Sequence, residues 1–304
     1  MGEWLPWMLE SWKNNNLYGV GRALREYAGL PWYYPLNLRI QHGVSLWSMF
    51  CSLHCSPERE AYTPRGRDEM LLVMNEDGAR LFREGGVRNV RAIGAPILYL
   101  DDFIATVRPA RRKGTLVFPH HSLMRFDTRT DYDVYADELA GLPASFHPIK
   151  VCLYPVDMRR GRDRAFREKG FEVVANGSHP WDPAFMHNFV RNAMPCEFAA
   201  SNSEISSTLY YAVYLGLKAF RFGPPCRDPN ASPADSHVCS GPPPYEFPFE
   251  AREDVARQKA VADAELGVPL KLSRDEMRRL IAGACTARFL AGYIPRTILR
   301  WPHT

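Results

Sequence analysis

A chain of 304 residues, 46% of them hydrophobic, has enough apolar material for two domains of about 150 residues and is too well filled to be disordered. Its formal charge of +4, with Lys and Arg interspersed among Asp and Glu, speaks against nucleic acid as a partner and suits a small anionic substrate or a membrane surface nearby. The seven cysteines (51, 55, 152, 196, 226, 239 and 285) are odd in number and scattered, so buried free thiols of a reducing compartment are expected in place of a disulfide framework.

Cys51, His54 and Cys55 have no second ligand pair at a zinc-like spacing, and no metal is expected. No apolar run approaches the roughly 20 residues of a membrane span, and residues 1–16 lack the basic start and apolar core of a signal peptide. The chain is therefore read as cytoplasmic. The cluster Trp4, Leu5, Trp7, Met8, Leu9 and Trp12 fits a short helix packed on its own domain, with peripheral contact at the inner face of the membrane as the alternative.

In chain order, Asn16 to Arg22 contains Gly19-Val20-Gly21 without a preceding strand, which reads as a turn and helix cap before the run ALREYAGL. Leu36 to Ile40 alternates like a strand and ends at Gln41-His42-Gly43. Residues 71–74 (LLVM) form a buried strand, after which Asn75 caps the helix EDGARLFREGG. Arg88 to Leu100 holds a short strand, a Gly-Ala-Pro turn and a second apolar run. It ends at Asp101-Asp102, of which at most one points into a given cleft if the strand continues.

Thr115 to Phe118 is another buried strand, ending at Pro119-His120-His121-Ser122. Tyr132 to Leu142 is helical, and Pro143 to Pro148 reads as an inter-domain linker.

The second half alternates strand and helix at spacings that demand parallel crossovers. Strands are expected at 149–154, 171–175, 197–200 and 218–222, and helices at 158–170, 183–193 and 205–215, with Asp182 as an N-cap. Residues 223–250 form a long irregular loop of the kind used as an active-site flap or a bridge between domains. Helices over 252–266 and 273–290 close the chain, the second opening on a capping box at Ser273 and Glu276.

Chemistry-bearing residues recur where strands end. His42, His120, His121, Asp157, His179 and the cluster Ser201, Asn202, Ser203, Ser206 and Ser207 all follow the C-terminal ends of expected strands. In an open α/β sheet ligands bind along that edge, because loops diverge there and helix N-termini present unpaired N–H groups. The serine cluster thus reads as a phosphate cradle, with His179 as a further donor from the neighbouring turn. No lysine-bearing P-loop, strand-linked GxGxxG, HExxH or GxSxG occurs, which counts against kinase, classical dehydrogenase, zincin and lipase chemistry.

The His179-Pro180 pair, followed about twenty residues later by the turn carrying Ser206-Ser207, resembles the donor half of GT-B glycosyltransferases that use CMP-sugars, such as bacterial sialyltransferases and Kdo transferases. The frame Ile93-Gly94-Ala95-Pro96, Leu116 to Ser122, Asn202 to Ser207 and Tyr211 to Gly216 is similar to capsule and surface-polysaccharide glycosyltransferases. Gln41-His42-Gly43 resembles the strand-end His-Gly of polymerases that use CDP-glycerol.

The resemblance implies an α/β, GT-B-like protein of two Rossmann-like domains facing a cleft, with residues 1–146 on the acceptor side and 147–304 on the donor side. It implies metal-independent transfer of a sugar from a nucleotide-activated donor, CMP-sugar favoured, to a glycan or glycolipid acceptor, the donor being substrate and no cofactor being needed. His179, Pro180, Ser201, Asn202, Ser203, Ser206 and Ser207 would bind the donor, and His42, Asp101, Asp102 or His120 would serve as base. Asp101-Asp102 is followed by Phe103, so the Asp-Asp-Gly acceptor-base motif of such enzymes is not present. Transfer of a polyol phosphate from a CDP-alcohol and non-catalytic binding of a nucleotide sugar are the alternatives.

Overall fold

The computed structural model describes residues 15–41, 70–122, 130–203, 207–225 and 254–292, with backbone alone for 285–292. Among these, two all-parallel sheets form an α/β protein. The first sheet pairs β1 (Leu38–Ile40), β2 (Met70–Val73) and β3 (Val90–Ala92) in that order. The second comprises β4 (Thr115–Phe118), β5 (Ile149–Cys152), β6 (Glu172–Val174), β7 (Phe198–Ser201) and β8 (Lys218–Arg221), in the order β6-β5-β4-β7-β8. Every residue of the central strand β4 is buried, as expected where helices cover both faces of a parallel sheet.

The helices are α1 (Val20–Tyr27), α2 (Glu76–Glu84), α3 (Asp101–Val107), α4 (Tyr132–Ala140), α5 (Pro155–Arg159), α6 (Arg164–Glu168), α7 (Phe185–Ala193), α8 (Ser207–Tyr214), α9 (Val255–Glu265) and α10 (Arg274–Gly292). Their ends follow local chemistry. Asn75 Oδ1 accepts from Gly78 N at 2.8 Å, and Ser273 and Glu276 bond reciprocally, with Ser273 N donating to Glu276 Oε2 at 2.8 Å and Glu276 N to Ser273 Oγ at 3.4 Å.

Three local expectations are corrected. Residues 158–170 do not make one helix: Gly161, at φ +71°, separates α5 from α6. Asp182 does not cap α7, which starts at Phe185. Its carboxylate instead accepts from Ala184 N at 2.9 Å and Ser178 N at 3.2 Å, holding the preceding turn. Asp101 and Asp102 do not end a strand but start α3, where acidic side chains favour the helix dipole.

The expected boundary at 146/147 runs between β4 and β5, which are hydrogen-bonded neighbours in one sheet. A division by sheet falls instead between β3 and β4. One apolar core spans both parts: Leu24 of α1, Leu72 of β2, Phe189 of α7, Leu209 of α8 and Met277 of α10 belong to the same buried cluster. Burying each such side chain contributes about 1.5–3 kcal/mol, which ties the sheets together through their helices. The α9–α10 segment packs back on the first part of the chain. Asn75 Nδ2 donates to Glu265 O at 2.9 Å, Ala95 N to Leu266 O at 2.8 Å, and Tyr27 Oη to Leu272 O at 2.9 Å.

Candidate functional site

The strand order locates the site. From central β4 the chain steps outward through β5 to β6, then crosses to the other side of β4 for β7 and β8. Loops leaving β4 and β7 therefore diverge and open a crevice at their carboxyl ends. Pairing of Phe118 with Ser201 brings those two ends level. A cavity of about 270 Å³ lies there. His120 and His121 line it after β4, Tyr154 after β5, Asn176 after β6, Ser201 at the end of β7 and Ser203 beyond it, and Ser207, Thr208 and Tyr211 from α8. Tyr18, ahead of α1, Phe118 at the end of β4, and Phe185 and Phe189 of α7 add aromatic wall.

Backbone needs account for part of the polar cluster. Asn202 Oδ1 accepts from His120 N at 2.7 Å, and Asn202 Nδ2 donates to Pro224 O at 2.9 Å. Ser201 Oγ donates to Phe118 O at 2.7 Å and accepts from Ser203 N at 3.1 Å. These two side chains set the shape of the loops. Ser203 stands in a different relation to the site, since its Oγ lies 2.9 Å from His120 Nδ1 and so links the two sides of the switch point.

His121 stacks on Tyr154, with ring centroids 4.3 Å apart at 24°. Desolvation holds its pKa below the ordinary histidine value, against the opposing pull of the Ser122 carbonyl and Asp157. A neutral ring with Nδ1–H directed at Ser122 O, 3.3 Å away, follows. The loop is clamped from below by Asp157. Its carboxylate accepts from Ser122 N at 3.1 Å and from Arg162 at 2.5 Å, and Arg162 also donates to Ser122 Oγ at 2.6 Å. Asp157 is thus a buried anchor within α5, away from the cavity lining.

Tyr18 enters the wall in a left-handed conformation, φ +56°, uncommon for a residue with a side chain. Its N–H donates to Pro180 O at 2.7 Å and its Oη lies 3.3 Å from Tyr154 Oη. At Gly19, φ +73°, an added Cβ would come within 2.7 Å of Pro183 O. This glycine serves the close approach of the chain to the 180–183 turn.

Of the residues expected at the site, His120, Ser201, Ser203 and Ser207 line one cavity, and Asn202 supports it. Asp101 and Asp102 are not brought there: Asp101 pairs with Lys271, and Asp102 with Arg274 at 2.6 Å, tying α3 to the start of α10. His179 is exposed and Pro180 buried, and both lie outside the cavity lining. His42 and Ser206 lie outside the described residues, as do Cys51, His54, Cys55, the N-terminal aromatic cluster and residues 226–250.

Among the described residues, no group of three or more His, Cys, Asp or Glu is placed to hold a metal ion, and no helix is long and apolar enough to cross a membrane. Sequence reasoning missed Tyr18, Tyr154, Asn176, Phe185, Thr208 and Tyr211. The i, i+4 spacing of Ser207 and Tyr211 is a signal that could have found one of them.

No protein-family model and no curated protein matches this chain.

Proposed function

We propose that the protein is a glycosyltransferase that binds a nucleotide-activated sugar, CMP-sugar favoured, across the ends of β4 and β7 and passes the sugar to a glycan or glycolipid hydroxyl. One observation carries the reading: His120 and Ser203 meet across the switch point of a parallel sheet, inside a cavity with aromatic walls and neutral hydrogen-bonding groups. In this reading the two parallel sheets are the halves of a GT-B-like protein.

In the transfer step the acceptor oxygen bonds to the anomeric carbon as its proton passes to His120, and the bond from that carbon to the phosphate oxygen breaks with its electron pair going to phosphate. Hydroxyls of Ser203, Ser207 and Thr208, with the first N–H groups of α8, offer fixed donors to the charge growing on that phosphate. Asp157 acts through the 120–122 loop as a positioning residue.

Thermal stability and release of free nucleotide, measured with CMP-, CDP-, UDP- and GDP-activated donors, test the proposal. A true donor at 100 times its Kd stabilises the protein by about 2.7 kcal/mol. If no donor shifts the melting temperature and none is consumed, the reading fails.

The Ser203–His120 contact favours one second reading, in which His120 activates Ser203 as a nucleophile toward an ester. Turnover of an activated ester that vanishes in Ser203→Ala, without any response to nucleotide donors, would select it.

A further inference from the structure

We propose that the cavity receives an uncharged heteroaromatic ring, the base of a nucleotide, and that Tyr211 reads it by donating its hydroxyl proton to an acceptor on that ring. The inference rests on the nucleotide-dependent function proposed above.

Tyr211 is 7% exposed and its hydroxyl has no hydrogen-bond partner among the described residues. Buried hydroxyls are rarely left so, and this one belongs to a side chain of the cavity wall, which makes a molecule in the cavity the candidate partner. Burial pushes the phenol well above the ordinary tyrosine value, so the group remains protonated and is available as a donor. The partner that this O–H lacks for its proton is an acceptor.

The walls define the rest of the ligand. Among the described residues the lining contains no Asp, Glu, Lys or Arg, so an ionised group placed deep in the cavity would lose its hydration with no charge from them to replace it. Flat aromatic faces are plentiful: His121 stacks with Tyr154, Phe118 with Phe189 at 5.5 Å, and Phe189 meets Tyr211 edge-on at 5.9 Å. Such surfaces favour a planar ring by stacking. At about 270 Å³ the cavity falls at the lower edge of the roughly 300–1,000 Å³ of drug-sized sites, and suits one part of a nucleotide better than all of it.

Helix α8 supplies a place for the remainder. Ser207 stands one turn N-terminal to Tyr211, about 6 Å along the axis, beside helix N–H groups that favour phosphate. Base and phosphate would be held by the same helix, the neutral part against Tyr211 and the anion at the helix start.

The test compares the wild-type chain with Tyr211→Phe, which removes one oxygen and keeps the ring. Calorimetric titration with CMP, UMP, AMP and GMP, and with the matching uncharged nucleosides, is run beside thermal melts of the ligand-free proteins. A nucleotide that binds the wild type should bind Tyr211→Phe about three- to ten-fold more weakly, while the ligand-free variant melts no lower than the wild type.

Equal affinity in the two proteins overturns the role of Tyr211 and leaves the transferase reading standing. Nucleosides that bind in a Tyr211-dependent way, with no consumption of any activated sugar, support the ring site and remove the transferase reading. Binding of none of these compounds removes both. Should Tyr211→Phe melt lower, Tyr211→Leu in the same titration serves as the second variant: retained affinity there overturns the proposal, and loss of affinity for nucleoside and nucleotide alike supports it.

Discussion

The Nδ1 atom of His120 lies 2.9 Å from Ser203 Oγ, joining the loop after β4 to the loop after β7 at the point where the sheet order reverses. The bond falls where two loops of a parallel sheet separate, so both side chains reach the crevice between them.

His120→Ala should lower sugar transfer by about 100-fold or more, the usual scale for a positioned acid–base group, while nucleotide affinity changes little. Steady-state rates and equilibrium titration on the same preparation separate the two effects. Unchanged turnover removes His120 as the base.

Asn202→Ala should act on structure before chemistry. It strips a partner from the His120 N–H and another from Pro224 O, and each partly buried orphan costs about 1–3 kcal/mol. Chemical denaturation should show a lower midpoint, and transfer should fall because His120 loses its backbone anchor.

Asp157→Ala leaves the Arg162 guanidinium partly buried without its carboxylate, and removing one partner of a buried pair costs about 3–5 kcal/mol. The side chain of Asp157 is 1% exposed and that of Arg162 is 16% exposed, so solvent screens the pair little. A melting temperature close to the wild-type value would show that the clamp under the 120–122 loop is dispensable.

Stability should fall on the acid side. Desolvation lowers the folded-state pKa of both His121 and His187, the latter despite Glu26 at 2.7 Å. The unfolded chain then binds more protons, so the stability these groups contribute is present above about pH 6.5 and is lost as pH falls below it. Glu265 has the opposite sign: burial, then Asp77, pushes it up to about 7 from 4.5, so stability declines as pH rises between those values. Glu265→Gln should raise the melting temperature at pH 8 and leave it unchanged at pH 4. Melts across pH 4 to 8 on wild type, Glu265→Gln and His187→Gln resolve the contributions, and an acid limb untouched in His187→Gln would exclude that residue.

Gly267→Ala should cost more than about 3 kcal/mol. The residue sits at φ +62°, and a Cβ there would come within 1.9 Å of Met74 O, backbone against backbone. A circular-dichroism melt measures the loss, which falls at the seam between α9 and the three-stranded sheet.

Much of the element order was legible in the chain. Thr115 to Phe118 is apolar enough for a strand buried on both faces, Asn75 stands before an acidic helical turn, and Ser273 with Glu276 marks a capping box. Each is a local signal, written within a few residues. The adjacent carboxylates Asp101 and Asp102 misled for the same reason: their partners Lys271 and Arg274 lie far along the chain and nothing local announces them.

By itself, the sequence determined that strands and helices alternate and that His120, Ser201, Ser203 and Ser207 follow strand ends, because hydrophobic periodicity and turn chemistry act over short distances. Only the tertiary structure decided which strand ends are neighbours. Placing β4 beside β7 set His120 against Ser203 and left His179 on an exposed turn. It also brought Tyr18, Tyr154 and Tyr211 around one cavity from three separate stretches of chain. Strand order is set by the packing of helices on both faces of the sheet, an interaction between distant residues that no local pattern records.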